Sequence, residues 1–260
     1  MSGKLYIVGL GPGGPEHMTA RARAALAESE VVVGYKTYLR HIPELLAGKK
    51  VLSSGMTKEI DRAKAAIAAA AGGVVTALVS GGDPGIYAMA PVVFELLHGQ
   101  GVTPGPGGLR VEVVPGVPAM AAAGALLGAP LSHDFACISL SDRLTPWELI
   151  QKRLQAAAWA DFVIALYNPK SRGRDWQLDR ALQTIVAHRP PQTPVGVVRA
   201  AMRPEQSVEL RTLATAAGAR VDMATILIIG NTHSFCHQGA MVTPRGYLAK
   251  YGPDQEETHD

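Results

Sequence analysis

At 260 residues and 47% apolar composition, the chain has enough material for one large α/β domain or two smaller ones. A net charge of +3, with lysines and arginines spread out and not interleaved with aromatics, removes nucleic acid as the default partner. The longest apolar stretches, such as AMAAAGALLGAPL, fall short of a membrane span, and two cysteines, Cys137 and Cys236, cannot build a disulfide framework, so a soluble cytoplasmic protein is expected.

In chain order, β-rich runs alternate with helical patterns: LYIVGLG, TARARAALAES, VVVG, TYLRHIPELLAG, VLSS, EIDRAKAAIAAAAG, VVTALVS, YAMAPVVFELLHG and VEVVPG. Short buried strands separated by helices of this length predict right-handed crossovers and a mainly parallel sheet with helices on both faces. After the apolar helix AMAAAGALLG the pattern restarts with FACISL, TPWELIQKRLQAAA, DFVIALY, DWQLDRALQTIVAHR, VGVVRA, SVELRTL and ATILIIGN. Only MRPEQ separates VVRAA from SVELRTL, which predicts a hairpin and hence a mixed sheet. Thr145-Pro146-Trp147-Glu148 reads as a threonine cap with proline at the first helical position. The fold class is therefore α/β in two domains, residues 1–118 and 119–248, with a cleft between them and a polar, acidic tail over 249–260 expected to be poorly ordered.

Three glycine-rich segments, GLGPGG, SGGDPG and VPGVPA, each follow a strand directly and should project from the carboxyl edge where parallel sheets bind ligands. GLGPGG satisfies the spacing of a dinucleotide fingerprint at Gly9, Gly11 and Gly14, but the helical pattern starts near Thr19, too late to offer amides to a pyrophosphate. Gly34-Tyr35-Lys36 stands where a ribose-binding acid is expected, and no Walker-type lysine follows any glycine run. In SGGDPGIY, Asp83 is fixed between backbone-exposing glycines: it either holds a ribose diol or ammonium, or caps the next helix. Two bare loops at one edge suit a ligand with a flat base and a ribose.

Lys36, Lys58, Lys170, Arg172 and Arg174 lie just after predicted strands and, if collected, would suit a substrate rich in carboxylates. His133 and Asp134 could form an acid-base pair, although a helix-to-strand turn explains the same residue types. His233, Cys236 and His237 carry metal-ligand chemistry without a fourth ligand nearby, so no metal is expected. Neither a nucleophile elbow nor an HExxH helix is present. A cleft enzyme without nucleophile or metal fits transfer from a preactivated donor, which needs mainly positioning.

VGLGPGGPEHMT, VVVGYKTYL, SSGMTKE, VSGGDPGIYAMA, VEVVPGVPAMAAAGALLGAPLSHDFACISLSD, ALYNPKSR, TPVGVVRAA and TILIIGNT together resemble the tetrapyrrole methylases over about Leu5 to Tyr247. VGYKTYL, SGMTKE, ISLSD with TPWE, and YNPKSR are most similar to members that methylate ring carbon 17 of precorrin-3B and contract the ring to precorrin-4 in cobalamin biosynthesis. The resemblance implies S-adenosylmethionine as donor and S-adenosylhomocysteine as product. It assigns cofactor contacts to Pro12, Gly81, Gly82, Asp83, Ile86, Pro118, Ala119, Asn168 and Ala201, and substrate contacts to Lys36, Lys58, Lys170 and Arg172. It also implies a homodimer. Ring contraction needs a base, for which Tyr35, His133 and Asp134 are the candidates; related uroporphyrinogen methylases place an acid near the position of Tyr35. The absence of an iron–sulfur segment favours the metal-free substrate over its cobalt-containing analogue, and a dinucleotide-dependent oxidoreductase is the remoter alternative.

Overall fold

The computed structural model describes residues 3–103, 105, 108–171 and 173–252. The chain divides into two compact units: residues up to Ala122 together with Ala201–Pro204, and Ala123–Ala200 together with the chain from Glu205 onward.

The first unit is a five-stranded sheet of β1 (Lys4–Gly9), β2 (Val31–Tyr35), β3 (Lys50–Ser54), β4 (Val75–Ser80) and β5 (Arg110–Val114). The order is β3-β2-β4-β1-β5 and every pairing is parallel. Alternation along β1 explains why both faces are covered. Leu5 and Ile7 join Val31, Val33 and Leu78 against helices α3 (Glu59–Ala71) and α4 (Met89–Gly99). Tyr6 and Val8 join Val32, Ala77 and Val79 against α1 (Ala20–Glu28) on the other face. Strands buried on both sides must be apolar almost throughout, which is how LYIVG and VTALV read. Ala63, Ala66 and Ala70 are fully buried, so the alanine run of α3 lets that helix pack closely.

One predicted helix breaks up. TYLRHIPELLAG forms only α2 (Lys36–Leu39) and a single 3₁₀ turn at Pro43–Leu46. Pro43 lacks a backbone donor and disfavours helical geometry in the residue before it; Ile42 accordingly takes φ −133°, ψ 40°.

Helix α5 (Ala119–Leu127) leads on to the short strand β6 (Gly128–Ala129). The second unit carries the sheet β10-β9-β11-β8-β7, built from β7 (Phe135–Ser139), β8 (Val163–Tyr167), β9 (Pro194–Arg199), β10 (Ser207–Thr212) and β11 (Thr225–Ile229). Only β7 and β8 run parallel; the β9–β10 hairpin and both β11 pairings are antiparallel. Ile164, Leu166, Val195, Val197, Leu227 and Ile229 meet α6 (Trp147–Trp159) and α7 (Gln177–Val186) in one core. Helix α6 begins one residue after Pro146, so proline and not Thr145 is its cap residue. A small sheet that sequence patterning missed joins β12 (Phe235–His237), β13 (Ala240–Val242) and β6.

Buried Arg189 ties this unit together. Its guanidinium donates to the carbonyls of Gly230, Ala157 and Phe162 and lies 3.7 Å from Asp161. Burial pulls its pKa down while Asp161 opposes the shift. Removing the side chain strands those carbonyls, at roughly 1–3 kcal/mol for each one left unpaired.

A charged cluster links α1, β1 and β5. Glu112 accepts from Arg21 Nε at 2.7 Å and pairs with Lys4 Nζ at 2.7 Å, while Lys4 and Arg21 also donate to the Tyr6 hydroxyl at 2.8 and 3.1 Å. Tyr6 in turn donates to Glu28. The hydrogen bonds from Arg21, then Lys4, hold the Glu112 carboxyl down to about 2. A depressed carboxyl pKa contributes stability above the unfolded value and loses it as pH falls through the folded one. Wild type should therefore lose stability steadily from about pH 5 to about pH 2, whereas Glu112→Gln, already weaker at pH 7, should show a flatter profile. Urea midpoints across that range check this; parallel profiles would contradict it.

Candidate functional site

All five strands of the first unit deliver their carboxyl ends to one edge, and three of the loops there are locked to one another through bare backbone. Leu10 N donates to Ser80 O at 2.9 Å, Gly82 N to Gly11 O at 2.8 Å, and Gly11 N to Gly82 O at 3.2 Å. The loops after β1 and β4 thus pair beyond the sheet itself. The turn after β5 closes on both. A side-chain carbon on Gly116 would fall 2.2 Å from Gly82 O and 2.9 Å from Gly9 O, and one on Gly9 would fall 2.6 Å from Gly116 N. Those distances are below any real contact, so Gly9 and Gly116 are bare because other backbone needs the space.

Gly81 and Gly82 are bare for different reasons. A carbon on Gly81 would meet the Tyr38 ring at 2.8 Å. Gly82 adopts φ +65°, a left-handed conformation, and that backbone, not crowding, is what favours glycine there: a side-chain carbon would meet Ala119 N and Pro118 Cα at 3.8 Å and Val117 O at 3.9 Å, ordinary contact distances. An amide and a carbonyl of the turn after β5 thus border this glycine. The predicted contacts Gly82, Pro118 and Ala119 are brought together there, with Gly81 and Asp83 adjoining.

Asp83 takes neither role foreseen from sequence alone as its sole task. Helix α4 begins only at Met89 with Ala88 as cap residue, so Asp83 does not cap it. Instead Asp83 Oδ1 accepts from Gly85 N at 2.8 Å and Oδ2 from Gly116 N at 3.1 Å. One carboxylate therefore fixes its own turn and ties the β4 loop to the β5 turn. Ile86 is half-buried, and the next residue, Tyr87, is held at φ +51°.

Pro12 and Ala201 belong to the same unit. The Pro12 carbonyl accepts from Arg203 Nε at 2.7 Å, and Ala201 is buried beside Met202, whose φ is +60°. Tyr35, at the end of β2, stands edge-on to Tyr38, with ring centroids 5.3 Å apart, and lies 5.8 Å below the Arg62 guanidinium. Burial raises the Tyr38 phenol above its usual value, opposed by Arg203 and Arg62. Arg62 is buried and committed to Ser54 Oγ at 2.9 Å and Gly55 O at 2.7 Å. Lys36 and Lys58 are exposed, the latter paired with Asp61 at 3.3 Å.

In the second unit, Asn168 follows β8 with φ +51°, the left-handed region that asparagine enters more readily than most residues with a side chain. Its Nδ2 donates to Ser139 Oγ at 2.9 Å, and its carbonyl accepts from Arg174 Nη2 at 2.6 Å. Arg174 also donates to Leu140 O at 2.9 Å and is buried. It is thus a brace for the ends of β7 and β8, not one of the substrate cations that its place after a strand suggested. Lys170 is exposed, and Arg172 lies outside the described residues, as do 253–260 of the acidic tail. His133 and Asp134 are exposed and precede β7, with Asp134 O accepting from Val163 N at the start of β8. They stand at the opposite end of the β7–β8 pair from Asn168. Cys236 and His237 are consecutive residues of exposed β12, and the described residues hold no group of three acidic, histidine or cysteine side chains able to bind a metal ion.

Helix α1 starts at Ala20, capped by Thr19 Oγ1 accepting from Ala22 N at 3.1 Å, six residues past Gly14. Directly after Gly14 comes only a single 3₁₀ turn, Pro15–His17, whose first residue has no N–H, and not the α-helix that a dinucleotide site needs. The profile of the Tetrapyrrole (Corrin/Porphyrin) Methylases family matches residues 4–217. The chain is a tetrapyrrole methylase.

Among related tetrapyrrole methylases, the probable cobalt-factor III C(17)-methyltransferase of Salmonella typhimurium is 47% identical over 94% of this chain and 99% of its own length. The precorrin-3B C(17)-methyltransferase of a Sinorhizobium species is 44% identical over 89% of this chain and 90% of its own. The cobalt-factor III methyltransferase of Priestia megaterium is 45% identical over 99% of this chain, which spans only 47% of that longer protein. Among solved structures, the methyltransferase CobJ superposes with a TM-score of 0.86 at 38% identity, covering 94% of this chain and all of that one. A uroporphyrin-III C-methyltransferase from Thermus thermophilus, solved with S-adenosylhomocysteine, gives a TM-score of 0.67 at 26% identity, covering 88% of this methylase and 97% of that chain.

Sequence reasoning missed Tyr38, Arg62 and Arg203. Nothing in the spacing of Gly81 announced an aromatic ring over it, and Arg203 reaches Pro12 from 191 residues away. The interlock itself predicts that Gly116→Ala, which drives a carbon into the Gly82 carbonyl, destabilises the first unit by about 1–3 kcal/mol. It should also speed hydrogen exchange at the Gly11 and Gly82 amides; unchanged exchange there would contradict the interlock.

Proposed function

We propose that this tetrapyrrole methylase transfers the methyl group of S-adenosylmethionine to ring carbon 17 of precorrin-3B, with contraction of the ring to precorrin-4. The observation that carries the reading is the bare backbone edge at Gly82, bordered by Val117 O and Ala119 N, in a chain whose relatives of similar length are named C(17)-methyltransferases. The donor supplies a methyl already activated on a sulfonium. A new carbon–carbon bond forms as the carbon–sulfur bond breaks, leaving S-adenosylhomocysteine. What the protein must add is alignment, which is why no nucleophile is required.

In this reading Pro12, Gly81, Gly82, Asp83, Ile86, Pro118, Ala119 and Ala201 of the first unit contact the donor. Asp83 acts through the turn it fixes: with Gly85 and Gly116 both bonded to it, the backbone that meets the donor is set before binding. Exposed Lys36 and Lys58 attract the carboxylates of the substrate. The proton lost on contraction passes to a base, for which Tyr35 at the end of β2 is favoured by its place at the same edge as the donor loops, whereas His133 and Asp134 lie at the far end of their own strand pair.

The cobalt-containing counterpart is a second reading, favoured by a specific finding: the Salmonella relative of nearly equal length bears the cobalt-factor III name. The protein works as a homodimer in the cytoplasm. Exposed Tyr247, Leu248 and Tyr251 on helix α8 (Tyr247–Tyr251) support a further apolar contact, and among the described residues no helix is long and apolar enough to cross a membrane.

Anaerobic incubation with S-adenosylmethionine and either precorrin-3B or its cobalt counterpart tests the reading. A product heavier by one methylene, with the absorption of a contracted ring, is expected from one of the two; no methylation of either would contradict it. Asp83→Ala should weaken S-adenosylhomocysteine binding about tenfold or more by calorimetry while the protein stays folded. Unaltered affinity would contradict any part for Asp83, or for the turn it fixes, in donor binding.

A further inference from the structure

Within the GLGPGG segment only Pro12 is assigned to the donor, yet three of its glycines are bare for three separate reasons. Gly9 makes room for Gly116, and Gly11 takes φ +75° while pairing with Gly82. Gly13 has no conformational need, but a carbon on it would fall 1.9 Å from Met202 O, 2.7 Å from Met202 C and 2.9 Å from Met202 Cβ. The backbone of Met202 is seated on Gly13. One residue further on, Arg203 Nε donates to Pro12 O at 2.7 Å, so residues 12–13 and 202–203 hold each other by one packing contact and one hydrogen bond.

The held segment is strained. Ala200 and Met202 both adopt left-handed backbone, at φ +48° and +60°, on either side of buried Ala201. Residues with side chains stay in this region only when their surroundings over-determine them. The seat on Gly13 and the bond to Pro12 supply that constraint. Through Gly11 the same loop is joined to Gly82 by two backbone hydrogen bonds, so the chain of contacts runs from Arg203 and Met202 through Pro12 and Gly13 to Gly82.

We infer that Gly13 and Arg203 are positioning residues for the methyl donor: they latch the Ala201 segment onto the first glycine loop and so set both Ala201 and Gly82 for the donor. The inference rests on the proposed methyltransferase reading, and its logic is mechanical. Arg203 suits the task because its rigid guanidinium fixes the direction of the hydrogen bond, which a lysine's mobile ammonium does not.

The test uses the whole protein with S-adenosylhomocysteine as probe. Calorimetry on wild type comes first: absence of saturable binding would overturn the methyltransferase reading, and the latch with it. Given binding, Gly13→Ala is expected to weaken it by about tenfold or more. Because that variant forces backbone apart and could unfold, Arg203→Met is measured beside it; this change puts a methyl carbon where Nε stood, so the donor is lost without inserting any atom into the loop. Arg203→Met should raise the KM for S-adenosylmethionine several-fold while the KM for the tetrapyrrole and the melting temperature stay near wild type. A purely structural arginine would lower the melting temperature and leave the donor KM alone. A rise confined to the tetrapyrrole KM would make Arg203 a substrate contact. Either result, or wild-type donor affinity in both variants, would overturn the latch.

Discussion

Backbone-to-backbone contact among three loops is the constraint on which the first unit's working edge depends. The reciprocal hydrogen bonds of Gly11 and Gly82 carry the β1–β4 pairing past the last sheet residues, and Gly116 closes against both Gly82 and Gly9. Neither contact tolerates a side chain, and neither uses one. The result is an edge whose shape is set by peptide geometry, with one carboxylate, Asp83, tying two of the loops together. An edge fixed before a ligand arrives loses less freedom when it binds, which is where a position-only catalyst gains most.

Much of this was legible in the sequence. Runs such as LYIVG and VTALV are apolar at every position because their strands are covered on both faces, and that alone specifies a parallel sheet with helices on each side. The hairpin over MRPEQ and the mixed second sheet followed from a connection too short for a crossover. The glycine clusters marked the loops that matter. Their meaning was harder to read: a sequence shows that backbone is bare, not whether a ligand or another stretch of backbone requires it. At Gly9, Gly13 and Gly116 the requirement is other backbone, whereas at Gly82 it is the left-handed conformation, with neighbours only at ordinary contact distance.

Most of the misread elements trace to contacts between residues far apart in sequence, and one is local. Pro43 cut short a helix whose apolar spacing looked continuous, a local effect that the pattern of TYLRHIPELL disguised. Arg174 follows a strand, as substrate-binding cations do, yet carbonyls of Leu140 and Asn168 claim it. Asp83 looked like a cap because proline follows it, but its partners are amides of its own turn and of a turn more than thirty residues away. Left-handed backbone at Ala200 and Met202 leaves no trace in residue type, whereas Asn168 is of a type that enters that region readily. Such strain persists where tertiary contacts enforce it, which is a reason to look for function there.

The central claim is that the bare loops over residues 80–88 and 115–119 receive S-adenosylmethionine and not a dinucleotide. Hydrogen exchange of the intact protein, measured with saturating S-adenosylhomocysteine and separately with NADH, addresses it directly. The account predicts protection of both segments by S-adenosylhomocysteine and no change with NADH. Protection of the Gly9–Gly14 loop by NADH, with 80–88 and 115–119 unaffected by S-adenosylhomocysteine, would contradict it.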